Sequence, residues 1–234
     1  MPTYTLELSI NAQDLETIEG AGENIILAKP VNSAGGTPNM AWLSIKPLKG
    51  NQIMWTEDYA MYASTTTQFQ GGSIIQTIST AYPALDGVCY AFDVNGFSGQ
   101  TAGLQPVSKG SYSALNDYTA QPAMTFGLTQ SATTTSGNVT LSPLNAQSVP
   151  KDQQVIFTPF PTVWVWLETQ VTSGVLFTGV FSKVAVVTFG GSVTTQALTY
   201  DSTRGQFEHD SGTSGVRLLD FTKHGGGKRP YEDG

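Results

Sequence analysis

The apolar residues of this chain occur in short runs separated by breaks, and this pattern limits its fold more than any other feature. About a dozen runs suited to β-strands follow one another at spacings of roughly 8 to 15 residues. Most breaks carry Gly, Pro or Asn, as at Gly50-Asn51 and Asn95-Gly96. The pattern predicts an all-β fold, an antiparallel β-sandwich or a barrel-like sandwich, instead of alternating strands and helices.

One short segment near the N-terminus has helical spacing instead. Asn11 is a suitable N-cap, Asp14 lies in the first turn, and Leu15 and Ile18 fall on one face. The glycines that follow, at 20 and 22, can end the helix. We predict a helix over residues 12–20, and no other segment has both caps and helical spacing.

The length of 234 residues suits one β-domain or two small ones. Two β-rich parts are predicted, 1–97 with the helix and 124–222. Between them, residues 98–123 lack sustained periodicity and are rich in Gly, Ser and Pro, which predicts a loop or a link between lobes. The tail 223–234 has no apolar pattern and is expected to be mobile. A single domain remains the alternative.

The chain carries few charges. Only 12% of its residues are Asp, Glu, Lys or Arg, about half the share in ordinary globular domains, and the net charge is −7. Without a basic patch there is little to bind a phosphate backbone, so we expect no nucleic-acid partner. Anionic lipid also gains no electrostatic attraction. A polar but weakly charged surface is typical of lectins, crystallising toxins and phage shells.

The N-terminus lacks the basic and continuous apolar regions of a signal peptide. No run reaches the roughly 18 apolar residues of a transmembrane helix. These patterns predict synthesis in a cytosol, with release or unconventional export left open. The single cysteine, Cys89, lies in an apolar run and is predicted to be a buried core thiol.

Motifs for catalysis and metal binding are missing from the sequence. The segment from Gly96 to Gln100 begins like a nucleophile elbow but ends with the wrong residue. Two histidines and one cysteine are too few for a structural zinc site of the Cys/His type. We therefore expect no metal and no cofactor, and an enzyme is not the favoured class.

Two predicted strands each carry a Trp-x-Glu pattern on one face. Aromatic faces stack on the apolar side of sugar rings, and carboxylates or amides accept hydrogen bonds from sugar hydroxyls. Alternation therefore predicts a ligand-binding surface made by one face of residues 162–170 and one face of residues 53–61, namely Trp164, Trp166, Glu168 and Gln170 with Trp55 and Tyr59. The alternative is that these tryptophans pack in the core.

Ser/Thr-rich segments with weak alternation form a second feature, over residues 63–80 and 125–141. Barrel-forming toxins insert hairpins of this kind into membranes. The alternative is a set of edge strands and loops whose hydroxyls are solvated.

Three functions are compatible with these patterns. The favoured one is a non-enzymatic binding protein, lectin-like or membrane-targeting, that recognises glycans or lipid headgroups. Association into a homo-oligomer is compatible with this function. The second is a β-sandwich glycosidase with Glu57 and Glu168 as its paired carboxylates. The third is a structural subunit of a shell or appendage, whose mark is a large symmetric assembly.

Overall fold

The computed structural model describes residues 2–32, 36–66, 78–80, 82–177, 182–209 and 215–221. These residues form strands arranged in three sheets, with one short helix, which confirms the all-β prediction. The elements are β1 (Thr3–Ser9), α1 (Ala12–Ala21), β2 (Glu23–Ala28), β3 (Leu43–Ile45), β4 (Gly50–Thr56), β5 (Ala60–Ser64), β6 (Ile78–Ser79), β7 (Cys89–Asp93), β8 (Gly96–Thr101), β9 (Tyr112–Asn116), β10 (Ala123–Thr134), β11 (Gly137–Pro143), β12 (Gln147–Pro150), β13 (Gln154–Phe157), β14 (Thr162–Thr169), β15 (Lys183–Thr188), β16 (Thr195–Asp201), β17 (Gln206–His209) and β18 (Val216–Asp220).

The largest sheet has nine strands in the order β17-β16-β1-β4-β10-β5-β6, with β11 and β12 both paired to β10. A five-stranded sheet has the order β18-β15-β14-β2-β3, and a four-stranded sheet has the order β13-β9-β7-β8. Most pairs are antiparallel, as predicted, but β1 with β16 and β7 with β9 are parallel. In the described part of the chain the architecture is sandwich-like and no sheet closes into a barrel.

The helix forms where its caps predict. The Asn11 side chain accepts a hydrogen bond from the backbone N–H of Asp14 at 2.9 Å, and α1 begins at the next residue, Ala12. At the other end Gly22 adopts the left-handed conformation, with φ of 70°, and its N–H bonds back to Glu19.

The main core lies between the sheets. It contains Leu6 and Phe126 from the nine-stranded sheet, Leu27 from the five-stranded sheet, and Phe92 and Tyr112 from the four-stranded sheet. A second cluster covers the opposite face of the five-stranded sheet, built on Ile26, Ala28, Trp164, Trp166, Val184 and Val186. The strands β2, β14 and β15 are thus apolar on both faces, which explains their continuous apolar runs.

The two predicted β-rich parts contribute neighbouring strands to the same sheets. Strand β1 pairs with β16, β2 with β14, and β4 with β10. The segment 98–123, predicted to be a loop or a link between lobes, contains β9 and the end of β8. Short strands with little alternation escaped prediction there, because β9 is buried on both faces.

Four other expectations concern Cys89, the Ser/Thr-rich run, the tail and membrane-spanning helices. Cys89 is buried at 2% exposure, as predicted. Most of the Ser/Thr-rich run at 63–80, and the tail 223–234, lie outside the described residues. In the described ranges no helix is both long and apolar enough to cross a membrane.

Candidate functional site

Strand β4 places Trp55 in the interior. The strand alternates strictly, so Ile53 and Trp55 face the main core while Met54 and Thr56 face outward. The Trp55 ring is 3% exposed, and it packs edge-on against Trp42 at 5.6 Å and Phe189 at 5.0 Å between ring centroids. No face of this ring is open for a sugar to stack on.

The other predicted aromatic residues are buried as well. Tyr59 is 2% exposed in the main core, and Trp164 and Trp166 are 1% and 3% exposed in the second cluster. Trp164 stacks on Phe221, and Trp166 packs edge-on against Phe177. Alternation placed these side chains on common faces, but both faces are covered by other elements. The burial values support the core interpretation of the tryptophans.

The polar residues of the predicted surface, Glu168 and Gln170, lie at the end of β14 and just after it. Glu168 is half-buried at the end of β14 and accepts hydrogen bonds from its neighbour's backbone, Thr169 N–H at 3.0 Å, and from the Ser182 hydroxyl at 3.5 Å. Gln170 follows the strand, is exposed and adopts a positive φ of 61°.

Glu57 is the centre of a buried polar cluster. Its carboxylate accepts hydrogen bonds from Trp55 Nε1 at 2.8 Å, from Lys29 Nζ at 3.0 Å and from the Tyr59 hydroxyl. The Glu57 side chain is 17% exposed, whereas that of Lys29 is 1% exposed. Buried charges need such pairing, because an isolated charge in the interior is very unfavourable.

Lys29 enters this cluster from the opposite layer. It follows β2 and continues the face of Ile25 and Leu27, which points into the main core. Its Nζ donates to Gln130 Oε1 at 2.8 Å, and Gln130 lies on β10 of the nine-stranded sheet. The amide nitrogen of Gln130 in turn donates to the Thr56 carbonyl at 2.6 Å.

Three aromatic rings surround the Lys29 ammonium. Its nitrogen lies 5.3 Å from the centre of Trp42, 5.2 Å from that of Trp55 and 5.6 Å from that of Tyr59. Each distance is within the range of a cation–π contact, which gains strength when water is excluded. The Lys29 cluster, defined as Lys29, Glu57, Gln130 and these three rings, is therefore a largely buried polar site between two sheets.

Burial and charge act in opposite directions on the ionisable groups of the Lys29 cluster. Burial lowers the pKa of Lys29, and the neighbouring Glu57 opposes that change. Burial by itself raises the pKa of Glu57, but Lys29 and the donors Tyr59 and Trp55 outweigh it, so the pKa of Glu57 lies below its ordinary value. Burial, followed by the charge of Glu57, raises the pKa of Tyr59 well above its ordinary value.

The two carboxylates of the glycosidase hypothesis have separate partners. Glu57 interacts with Lys29, whereas Glu168 acts electrostatically on Glu23, on the adjacent strand β2. Partial burial and the charge of Glu168 raise the pKa of Glu23. A cavity of about 310 Å³ lies beside Glu23 and is also lined by Tyr200 and Arg204.

A larger cavity of about 440 Å³ lies on the outer face of the nine-stranded sheet. Strands β1, β4, β10 and β11 form its floor, where a bulge in β10 between Gln130 and Ala132 shifts the register with β11. The described residues that line this outer cavity are all uncharged, namely Thr3, Met54, Trp55, Thr56, Tyr82, Ser131, Ala132, Thr133, Asn138, Val139 and Thr140. Among these residues, Tyr82 is 42% exposed.

Sequence reasoning identified Glu57, Trp55 and Tyr59 but missed Lys29, Gln130 and Tyr82. Lys29 had one usable signal, because it is a charged residue between the apolar run 25–28 and Pro30 in a chain with few charges. Gln130 and Tyr82 had none.

No group of three His, Cys, Asp or Glu residues suited to a metal ion occurs in the described ranges. Comparison of the chain with protein-family models, curated proteins and solved structures finds no match.

Proposed function

We propose that the chain is a non-enzymatic binding protein that holds a neutral glycan in the outer cavity. The observation that supports this proposal most directly is the lining of this cavity, which combines hydroxyl and amide groups with a partly exposed tyrosine and includes no charged residue among the described residues. Its volume of about 440 Å³ falls in the range of small-ligand sites.

The chemistry of the lining suits a sugar. The hydroxyls of Thr3, Thr56 and Thr133 and the amide of Asn138 offer donors and acceptors without the desolvation cost of a charge. Tyr82 supplies an aromatic face for the apolar side of a sugar ring, and Met54 adds an apolar floor. The binding role earlier given to Trp55 and Trp166 thus passes to Tyr82.

A glycan array probed with the whole chain tests this proposal, followed by titration of the strongest ligand. Tyr82→Ala should weaken binding about thirtyfold, because truncating a central aromatic anchor typically costs about 2 kcal/mol. Thr133→Val keeps the shape but removes a hydroxyl, and it should weaken binding by about 0.5–1.5 kcal/mol.

Leu85→Ala is the matched control, because Leu85 is 57% exposed and is not among the lining residues. It should bind like the parent chain. Equal binding by the Tyr82→Ala and Leu85→Ala variants would place the ligand elsewhere, and an array without any bound glycan would remove the proposal.

Binding to neutral phospholipid vesicles in place of glycans would favour the membrane-targeting alternative. A large symmetric assembly on light scattering, without glycan binding, would favour the structural subunit.

A glycosidase that uses Glu23 with Glu168, in place of the pair Glu57 and Glu168 expected from the sequence, is favoured by one observation, the raised pKa of Glu23 beside Glu168. A raised carboxyl pKa is what a general acid needs. If this pair is catalytic, Glu23→Gln and Glu168→Gln should each abolish release of sugar from a chromogenic glycoside, whereas Glu57→Gln should not.

A further inference from the structure

The Lys29 cluster brings an amine, a carboxamide and a carboxylate together in a largely buried site. Lys29 Nζ lies 2.8 Å from Gln130 Oε1 and 3.0 Å from Glu57 Oε1. Because a carbonyl bond is about 1.23 Å long, Nζ lies no more than about 4 Å from the Gln130 carbonyl carbon. That is close to the separation of about 3–3.5 Å from which held groups react.

From this geometry we infer that Lys29 and Gln130 join to form an intramolecular isopeptide bond, with Glu57 as the proton carrier. The link connects the end of β2 in the five-stranded sheet to β10 in the nine-stranded sheet. It is a covalent bridge between two layers of a chain whose only cysteine cannot form an internal disulfide.

The step balances without an oxidant or a further reactant. Glu57 takes one proton from the Lys29 ammonium, and the neutral Nζ attacks the Gln130 carbonyl carbon, forming the new C–N bond and a tetrahedral oxyanion. Glu57 then passes its proton to Nε2 of Gln130 and accepts the second proton from Nζ. The carbonyl re-forms, the bond to Nε2 breaks with its electron pair, and ammonia leaves. Ammonia carries the remaining proton away as ammonium, and Glu57 returns to its initial state.

The surroundings favour each part of this reaction. Burial lowers the pKa of Lys29, which raises the share of the nucleophilic neutral amine. Glu57 touches Nζ directly, and the Tyr59 hydroxyl contacts both Glu57 and the Gln130 side chain. Amides react slowly in water, but groups held together reach effective molarities of about 10⁵–10⁸ M. The partial exposure of Glu57 gives ammonia a route out.

The test is the intact mass of the purified full chain after denaturation. We expect a chain lighter by one ammonia molecule than its sequence requires, and a protease digest with one branched peptide that joins the segments containing Lys29 and Gln130. Chain collected in the unfolded state should have the full mass and lose ammonia only after refolding.

Variants separate the reaction from other losses of mass. Gln130→Met should restore the full mass, and Glu57→Gln should slow the reaction by about 10²-fold or more while the far-UV circular dichroism stays that of the parent. Lys151→Met is the control and should still lose ammonia, because Lys151 is a surface residue paired with Asp152.

Three results would overturn the inference, and all are read on the parent chain, so they do not depend on how the variants fold. The first is a folded chain with its full mass. The second is loss of ammonia that maps to Asn95-Gly96, which marks a succinimide. The third is loss of water with a peptide joining Lys29 to Glu57.

Discussion

The Trp-x-Glu pattern occurs twice in this chain, and the two copies have different surroundings. In the first copy Glu57 accepts a hydrogen bond from Trp55 of its own pattern and pairs with the buried Lys29. In the second, Glu168 bonds to a neighbouring backbone N–H and acts repulsively on Glu23, while Trp166 lies in a separate apolar cluster. The same local sequence therefore serves as the centre of a polar site in one sheet and as a strand end in another.

The layer that each strand faces explains the difference. The Trp55 side of β4 looks across the main core to the five-stranded sheet, from which Lys29 reaches over. The tryptophan side of β14 is the opposite face of that five-stranded sheet, covered by Phe177 and Phe221. Alternation decides which residues share a face, and only the tertiary packing decides what that face meets.

Replacing the glutamate of each copy with leucine should give the largest difference in the free energy of unfolding. Both substitutions are made in the Gln130→Met background, where Lys29 cannot be linked and keeps its ammonium group. There Glu57→Leu leaves the Lys29 ammonium buried without its anion, so we expect the free energy of unfolding to fall by about 3–5 kcal/mol. Glu168→Leu removes a half-exposed carboxylate with weak partners and should change it by no more than about 0.5 kcal/mol. Urea denaturation at neutral pH measures both.

Equal losses for the two Leu variants would mean that the Lys29 pair contributes no more than a surface carboxylate. The control for Lys29 itself is Lys29→Met, which keeps much of the length of the side chain and removes the charge from the opposite side of the pair. In the same Gln130→Met background it should also destabilise, because Glu57 is then left without its cation.

Replacing the tryptophan of each copy with phenylalanine should give a smaller difference in the free energy of unfolding. Trp55→Phe removes an indole N–H that bonds to a carboxylate, and hydrogen bonds to charged groups contribute about 1.5–3 kcal/mol. Trp166→Phe removes ring volume alone from an apolar cluster. We expect Trp55→Phe to lower the free energy of unfolding by about 1.5–3 kcal/mol more than Trp166→Phe, as measured by urea denaturation. Identical losses would show that ring volume dominates at both positions.

Much of the fold could be predicted because its signals are local. The caps at Asn11 and Gly22 place α1, and alternation places Trp55, Glu57 and Tyr59 together. The Lys29 cluster could not be predicted, since Lys29 and Gln130 are 101 residues apart and meet only when two sheets pack. The outer cavity depends on a bulge in β10 that no residue pattern announces. Whether the tryptophans lie in the core or on the surface could not be decided from the sequence for the same reason, because the pattern of a strand does not show what covers its faces.

Acid should change the contribution to stability of Glu57 in the first copy and of Glu23, beside the second copy, in opposite directions. The pH dependence is compared in the Gln130→Met background, where Lys29 keeps its ammonium group. There the folded pKa of Glu57 lies below its unfolded value of about 4.5, so the stability that its ionised form contributes is present above that pH and is lost as the pH falls through the folded pKa. The pKa of Glu23, beside Glu168, is raised, so its contribution is present below about pH 4.5 and is lost as the pH rises through the folded pKa.

The smallest effect, and the one that tests this sign, is expected from Glu23→Gln. The amide removes the repulsion between Glu23 and Glu168, so at neutral pH the variant should be slightly more stable than the parent, and the gain should vanish below pH 4.5, where parental Glu23 is protonated.

Glu57→Gln should do the reverse: it should destabilise at neutral pH, and its deficit should shrink in acid, because protonation weakens the parent in the same way. Urea midpoints of both variants and the parent across this pH range measure the two differences. High salt should diminish the Glu23 gain, since that carboxylate is partly open to solvent, and should leave the buried Glu57 difference largely intact. Differences of the same sign for both variants would mean that the Lys29 ammonium does not govern the titration of Glu57, and the distinction between the two Trp-x-Glu copies would then rest on packing alone.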